Sequence, residues 1–170
     1  MDKKVTTPVV KGLIISLVLL VINVAAQLLE FDTATWFRWV PILLLLGSII
    51  GACIMFSNQQ NNYVTFGNVF ADGFKTTAVV TCLTILFTVI LFMLMPELKE
   101  RVFTLAASQA EKAGANDDVI EKQQALVKSM FWVFLVGGIM VSYLFIGVIA
   151  SLIGAGVAKK RPIDPFQQPV

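Results

Sequence analysis

The sequence predicts an all-α fold: an integral membrane four-helix bundle. Three observations predict it. Four long apolar runs lie along the chain, none holds Asp, Glu, Lys or Arg at its middle, and basic or aromatic residues mark their ends. Of the 170 residues, 57% are hydrophobic and 14% charged, against about 25% charged in a typical soluble domain. A soluble chain this short has too little interior to hide that much apolar surface. One transmembrane domain spanning residues 1–170 is the expected organisation.

The first expected span is residues 12–29, preceded by Lys3, Lys4 and Lys11. A cleaved signal peptide is the rival reading, since Val24-Ala25-Ala26 has the small side chains of a cleavage site. Against it, the run continues through Leu28 and Leu29, and three further runs follow. Glu30 to Thr35 form a short polar link into Trp36, Phe37, Arg38 and Trp39, an aromatic cluster suited to headgroup depth. The second span, residues 39–56, carries Pro41 in its first turn, where the missing N–H costs little. The third span is residues 76–95, closed by Pro96, and the fourth is residues 131–157, closed by Lys159, Lys160, Arg161 and Pro162.

Two segments between spans carry their own periodicity. Before the third span, Phe66, Phe70 and Phe74 recur every four residues with Val69 nearby, while Asn68 and Asp72 fall elsewhere on the wheel. This predicts a short interfacial amphipathic helix, with Phe66, Gly67, Phe70 and Phe74 on it and Gly73 as a hinge, continuous with or hinged to the third span. Residues 97–129 predict an extramembrane helical hairpin. Leu98, Val102 and Leu105 make one seam, Val119, Leu126 and Met130 another, and Asn116 or Asp117 caps the second helix.

An even number of spans puts both termini on one side. Both are basic, so the positive-inside rule predicts cytoplasmic termini and a hairpin outside. The bias is modest, because the hairpin also holds Lys99, Arg101, Lys112, Lys122 and Lys128.

Several function classes recede on composition. The chain has no histidine, which removes the commonest general base and transition-metal ligand. Cys53 and Cys82 both fall inside apolar runs and read as small buried hydrophobes. No nucleophile elbow, zinc-protease helix or phosphate-binding loop is present. A net charge of +2 with its cations at span ends argues against nucleic acid. No catalytic, cofactor or metal residue is therefore assigned, and an enzyme is not expected. The expected partners are the lipid bilayer and a membrane protein or a second copy of the chain.

Within the spans, small and polar residues define two candidate surfaces. Gly47 and Gly51 form a G-x-x-x-G step, and Gly147, Ser151 and Gly154 cluster late in the fourth span, where backbones can approach closely. Thr77, Thr81, Thr84 and Thr88 share one face of the third span, and Asn23 and Gln27 share a face of the first with Glu30. The plainer expectation for the threonines is hydrogen bonding within the helix or between helices. The sharper one is a polar path for an ion or small solute.

The leading expectation is thus a non-enzymatic structural or interaction component of the envelope, contacting partners through the hairpin and the Phe-rich helix. The alternative is a small transporter or channel subunit with a threonine-lined face.

Three stretches carry a family resemblance: Val9-Val10-Lys11-Gly12-Leu13-Ile14, Val64-Thr65-Phe66-Gly67-Asn68-Val69-Phe70 with Gly73-Phe74-Lys75, and residues 147–155 followed by Lys159-Lys160. They resemble the bacterial membrane family called domain of unknown function 4199, found mainly in Bacteroidota. The resemblance covers nearly the whole chain, and its most specific element is the Phe-Gly…Phe…Gly-Phe segment. That family has no assigned activity. The resemblance implies a location, the inner membrane, and no catalytic residue.

Overall fold

A computed structural model describes residues 5–28, 39–112 and 125–161, and for residues 26–28, 105, 107 and 109–112 it describes the backbone alone. Among these residues every regular element is helical. In chain order they are α1 (Pro8–Leu28), α2 (Trp39–Gln59), α3 (Phe66–Leu94), α4 (Glu97–Lys112) and α5 (Phe131–Val157). Four of them, all but α4, are long and apolar enough to cross a membrane. The chain is a multi-pass membrane protein.

The helix boundaries follow from local chemistry. Pro8 opens α1 at the position where its ring is pre-set for a helix. Thr65 caps α3: its hydroxyl accepts a bond from the Asn68 amide at 3.2 Å. Between α2 and α3, Asn61 and Asn62 adopt positive φ of 52° and 65°. The Asn62 amide then reaches back to the Ser57 carbonyl at 2.8 Å, closing the helix end in the manner of a Schellman turn. Asparagine tolerates this left-handed backbone better than other non-glycine residues. Glu97 and Glu100 lie in the first turn of α4, where acidic groups complement the helix dipole.

Two boundaries differ from the sequence reading. The first helix starts at Pro8, so Lys11 lies inside it instead of ahead of it. The third helix starts at Phe66 instead of residue 76: of the two arrangements expected for the Phe-rich segment it takes the continuous one, forming the opening turns of an unbroken α3 of 29 residues, with Gly73 buried inside it and no hinge there. At 1.5 Å per residue α3 is about 43 Å long, which exceeds a hydrocarbon core of about 30 Å. The Trp36–Arg38 interface cluster, Ala26, Glu30, the Gln27 side chain, the Asn116–Asp117 cap and Val119 lie outside the described residues and side chains. Of the expected hairpin, α4 and a helical turn at residues 125–129 are described.

The chain divides into two compact units, Met1–Thr84 with Ser142–Val170, and Ile85–Val141. The first has a core of Ile15 and Leu19 from α1, Leu45, Ile49 and Cys53 from α2, Val69 and Val80 from α3, and Ala150 and Ala155 from α5. Lipid tails are as apolar as leucine, so close packing and polar contacts hold such helices together more than water exclusion does. The second unit centres on Phe131, buried and edge-on to Phe92 at 5.4 Å, Phe103 at 5.5 Å and Trp132 at 5.5 Å. Lys99 of α4 lays its amine over the Trp132 ring at 4.6 Å.

Candidate functional site: a buried lysine–aspartate pair

The first unit holds an ion pair in its interior. Lys11 Nζ of α1 donates to Asp72 Oδ2 of α3 at 2.8 Å, and the two side chains are 4% and 5% exposed. It is the one ion pair among the described residues. The lysine amine also points at the Ala52 carbonyl of α2, 3.4 Å away, and stands 5.1 Å from the centre of the Phe56 ring. One ammonium thus joins three helices through a carboxylate, a carbonyl and an aromatic face. Burying either charge alone would be severely unfavourable, and the pairing makes the site tenable. Ionisable residues facing the interior of a membrane bundle are sites of functional interest by default.

Glycines bring the backbones close enough for this contact. A β-carbon on Gly12 would stand 2.6 Å from Val79 Cγ1 and 3.2 Å from the Thr76 carbonyl, so α1 lies directly on α3 there. A β-carbon on Gly73 would stand 2.5 Å from Cys53 Sγ and 2.8 Å from Ser151 Oγ, and one on Gly154 would stand 2.8 Å from Cys53 Cβ. Cys53 therefore fills a notch between Gly73 and Gly154. Each charged residue is followed by the glycine that permits the close approach: Lys11 by Gly12, Asp72 by Gly73.

Around the pair, hydroxyls are used locally. Thr76, Thr77 and Thr81 are buried and donate to the carbonyls of Asp72, Gly73 and Thr77 at 2.8, 3.0 and 2.9 Å. These are bonds to the preceding turn of their own helix. Ser151 is fully buried, and its hydroxyl has no hydrogen-bond partner among the described residues. Thr84 and Thr88, further along the same face, are half-buried.

The predicted packing residues separate into two groups. Gly147 sits against the Thr77 side chain, Ser151 against Gly73, and Gly154 against Cys53. Gly47 and Gly51 have nothing within 4 Å of where a β-carbon would stand. The predicted polar face separates as well. Asn23 donates to the Leu19 carbonyl of its own helix at 3.3 Å, so it is not joined to the threonines. Of the Phe-rich segment, Phe66, Gly67 and Phe74 are exposed, and Phe70 is half-buried and stacked on Phe74 at 6.2 Å.

The ion pair itself is absent from the sequence-derived candidates. In the sequence Lys11 reads as a flanking cation and Asp72 as the solvated side of an interfacial helix. A signal is nonetheless present. Lys11, Ile15 and Leu19 recur every four residues, and Val69, Asp72, Thr76 and Val80 recur at three, four and four, which places each charge on the buried stripe of its helix.

One end of this unit is also tied together by hydrogen bonds. The Thr6 amide donates to Gln59 Oε1 and Gln59 Nε2 donates to Thr6 Oγ1, both at 2.9 Å. The Ser57 hydroxyl donates to the Lys159 carbonyl, and the Arg161 amide donates to the Asn62 carbonyl at 2.7 Å. The start of α1, the α2–α3 turn and the segment after α5 therefore meet at one end, as alternating spans require.

Among the described residues no three His, Cys, Asp or Glu side chains come together as a metal ion would need. The lysine amine is engaged by the carboxylate, and the arrangement is suited to joining helices.

No curated protein and no solved structure matches the chain. Residues 11–160, from Lys11 of the ion pair to the basic segment after α5, match the family described as Protein of unknown function (DUF4199), and the chain belongs to that family.

Proposed function

We propose that this membrane protein is a non-enzymatic structural or interaction component of the inner membrane, with both termini in the cytoplasm and α4 on the opposite side as its partner-contacting element. The observation that carries this reading is how the polar groups within the helices are used. Lys11 is paired with Asp72, and three threonine hydroxyls bond their own backbone. By contrast Glu97, Glu100 and Arg101 lie along α4, with Glu100 and Arg101 exposed. A solvated charged face tied to the membrane by the Phe131 cluster suits recognition of another protein. The cytoplasmic placement of the termini is supported by Lys159, Lys160 and Arg161, gathered at the end where α1 begins.

Photo-cross-linking from position 100 or 101 in native membranes tests the reading. A dominant, reproducible protein adduct is expected. Adducts with abundant bystanders alone would overturn it. Solute flux in reconstituted vesicles that is lost on Thr81→Val with Thr84→Val would replace it with transport.

A further inference from the structure

We infer that the end of the chain where the α2–α3 turn meets the segment after α5 binds the headgroups of anionic phospholipids. Lys159, Lys160 and Arg161 are all exposed there. Lys160 Nζ stands 5.2 Å from the centre of the Phe66 ring, and the Arg161 guanidinium 5.9 Å from that of Tyr63. Both rings are close to half exposed, at 45% and 48%. The segment that carries the cations is held in register by two hydrogen bonds to its backbone, from the Ser57 hydroxyl to the Lys159 carbonyl and from the Arg161 amide to the Asn62 carbonyl. A surface fixed in this way loses little conformational entropy when a ligand arrives.

Charge selects the occupant. Asp72 is the one described carboxylate of this unit, and Lys11 already holds it in the interior. Among the described residues nothing pairs with the three cations, so the described part of the patch carries excess positive charge. Its depth selects the source of the anion. The patch lies just beyond the ends of α2 and α5 and at the start of α3, three helices long enough to cross the bilayer. Aromatic rings beside basic side chains at that level sit among headgroups. A guanidinium presents a planar fork to a phosphodiester, and the lysine amine adds a mobile charge. The inference holds whichever side of the membrane this end faces.

Native mass spectrometry of the full chain in mild detergent tests it, with phosphatidylglycerol and phosphatidylcholine supplied equally. The wild type is expected to retain phosphatidylglycerol several-fold over phosphatidylcholine. Lys160→Ala and Arg161→Ala should each lower that preference by up to about fivefold. Lys99→Ala, in the other unit, should leave it unchanged. Equal retention of the two lipids by the wild type, or an undiminished preference in the Lys160→Ala/Arg161→Ala variant, would overturn the inference. Complete displacement by inorganic phosphate would overturn it too, by showing a phosphate site instead of a lipid site. If circular dichroism shows that the double variant has lost its helices, a salt series on the wild type decides. The preference must shrink as salt rises, and a salt-independent preference counts against the patch.

Discussion

Lys11 and Asp72, 61 positions apart in sequence, meet at 2.8 Å in a space that exposes neither side chain. A buried pair of this kind is asymmetric in its energetics. Removing one partner strands the other charge, whereas removing both leaves an apolar contact. Lys11→Met alone and Asp72→Leu alone should each destabilise the fold by about 3–5 kcal/mol, and the double variant should stay within about 1 kcal/mol of the wild type or exceed it. Denaturant titration in mild detergent, followed by circular dichroism, supplies the double-mutant cycle. A double variant as unstable as the sum of the singles would show that the two residues act independently.

Gly147 and Gly47 make a matched contrast. A β-carbon on Gly147 would collide with the Thr77 side chain, coming within 2.6 Å of Oγ1 and 2.8 Å of Cβ. The threonine cannot swing clear without losing its bond to the Gly73 carbonyl. Gly147→Ala should therefore cost about 1–3 kcal/mol as overpacking. Gly47→Ala meets open space and should fall within about 0.5 kcal/mol of neutral, or gain slightly from helix propensity. Thermal melts of the two variants side by side check this. Equal losses would mean that α5 does not lie against Thr77 as described.

How much of this is legible in the sequence depends on the kind of signal. The spans are legible because a run of some 20 apolar residues is hard to place anywhere but in a bilayer. The late cluster of small residues in α5 is legible because G-x-x-x-small spacing has a steric meaning of its own. Gly47 and Gly51 show the limit of that rule: the spacing is the same, but which way the face points is a tertiary property. The Phe-rich segment shows another limit. In water, Phe66, Phe70 and Phe74 would turn inward and Asp72 outward. Beside lipid the wheel inverts, with Phe66 and Phe74 outside and Asp72 inside against Lys11. Periodicity finds a face, and the solvent decides which face is buried. The pattern therefore places Asp72 correctly on the wheel and still assigns it to the wrong environment.

The threonines of α3 separate a packing role from a transport role. Thr81 spends its hydroxyl on the Thr77 carbonyl at 2.9 Å, within the same helix. Valine has nearly the same shape and frees that carbonyl for its ordinary helical bond. Thr81→Val should change stability by no more than about 0.6 kcal/mol, the typical scale of such bonds in membrane helices. Thr76→Val should behave alike, since its bond to the Asp72 carbonyl is of the same type. Unfolding curves that shift by several times this amount would show that the hydroxyls reach a neighbouring helix.

In the second unit the weight falls on one ring. Phe131 is buried, touches Phe92, Phe103 and Trp132 edge-on, and lies 5.7 Å beneath the Lys99 amine. Two of these neighbours, Lys99 and Phe103, belong to α4. Phe131→Ala should destabilise this unit by about 3–5 kcal/mol, while Lys99→Ala, which removes cation–π contacts at an interface, should cost about 0.5–1 kcal/mol. The two compact units make the readout local. Hydrogen exchange resolved by peptide should show α4 amides losing protection in Phe131→Ala, with residues 8–25 of α1 unchanged. Loss of protection in α1 to the same degree would mean that the chain unfolds as one cooperative block, and unchanged α4 protection would mean that the Phe131 cluster is not what holds α4 in place.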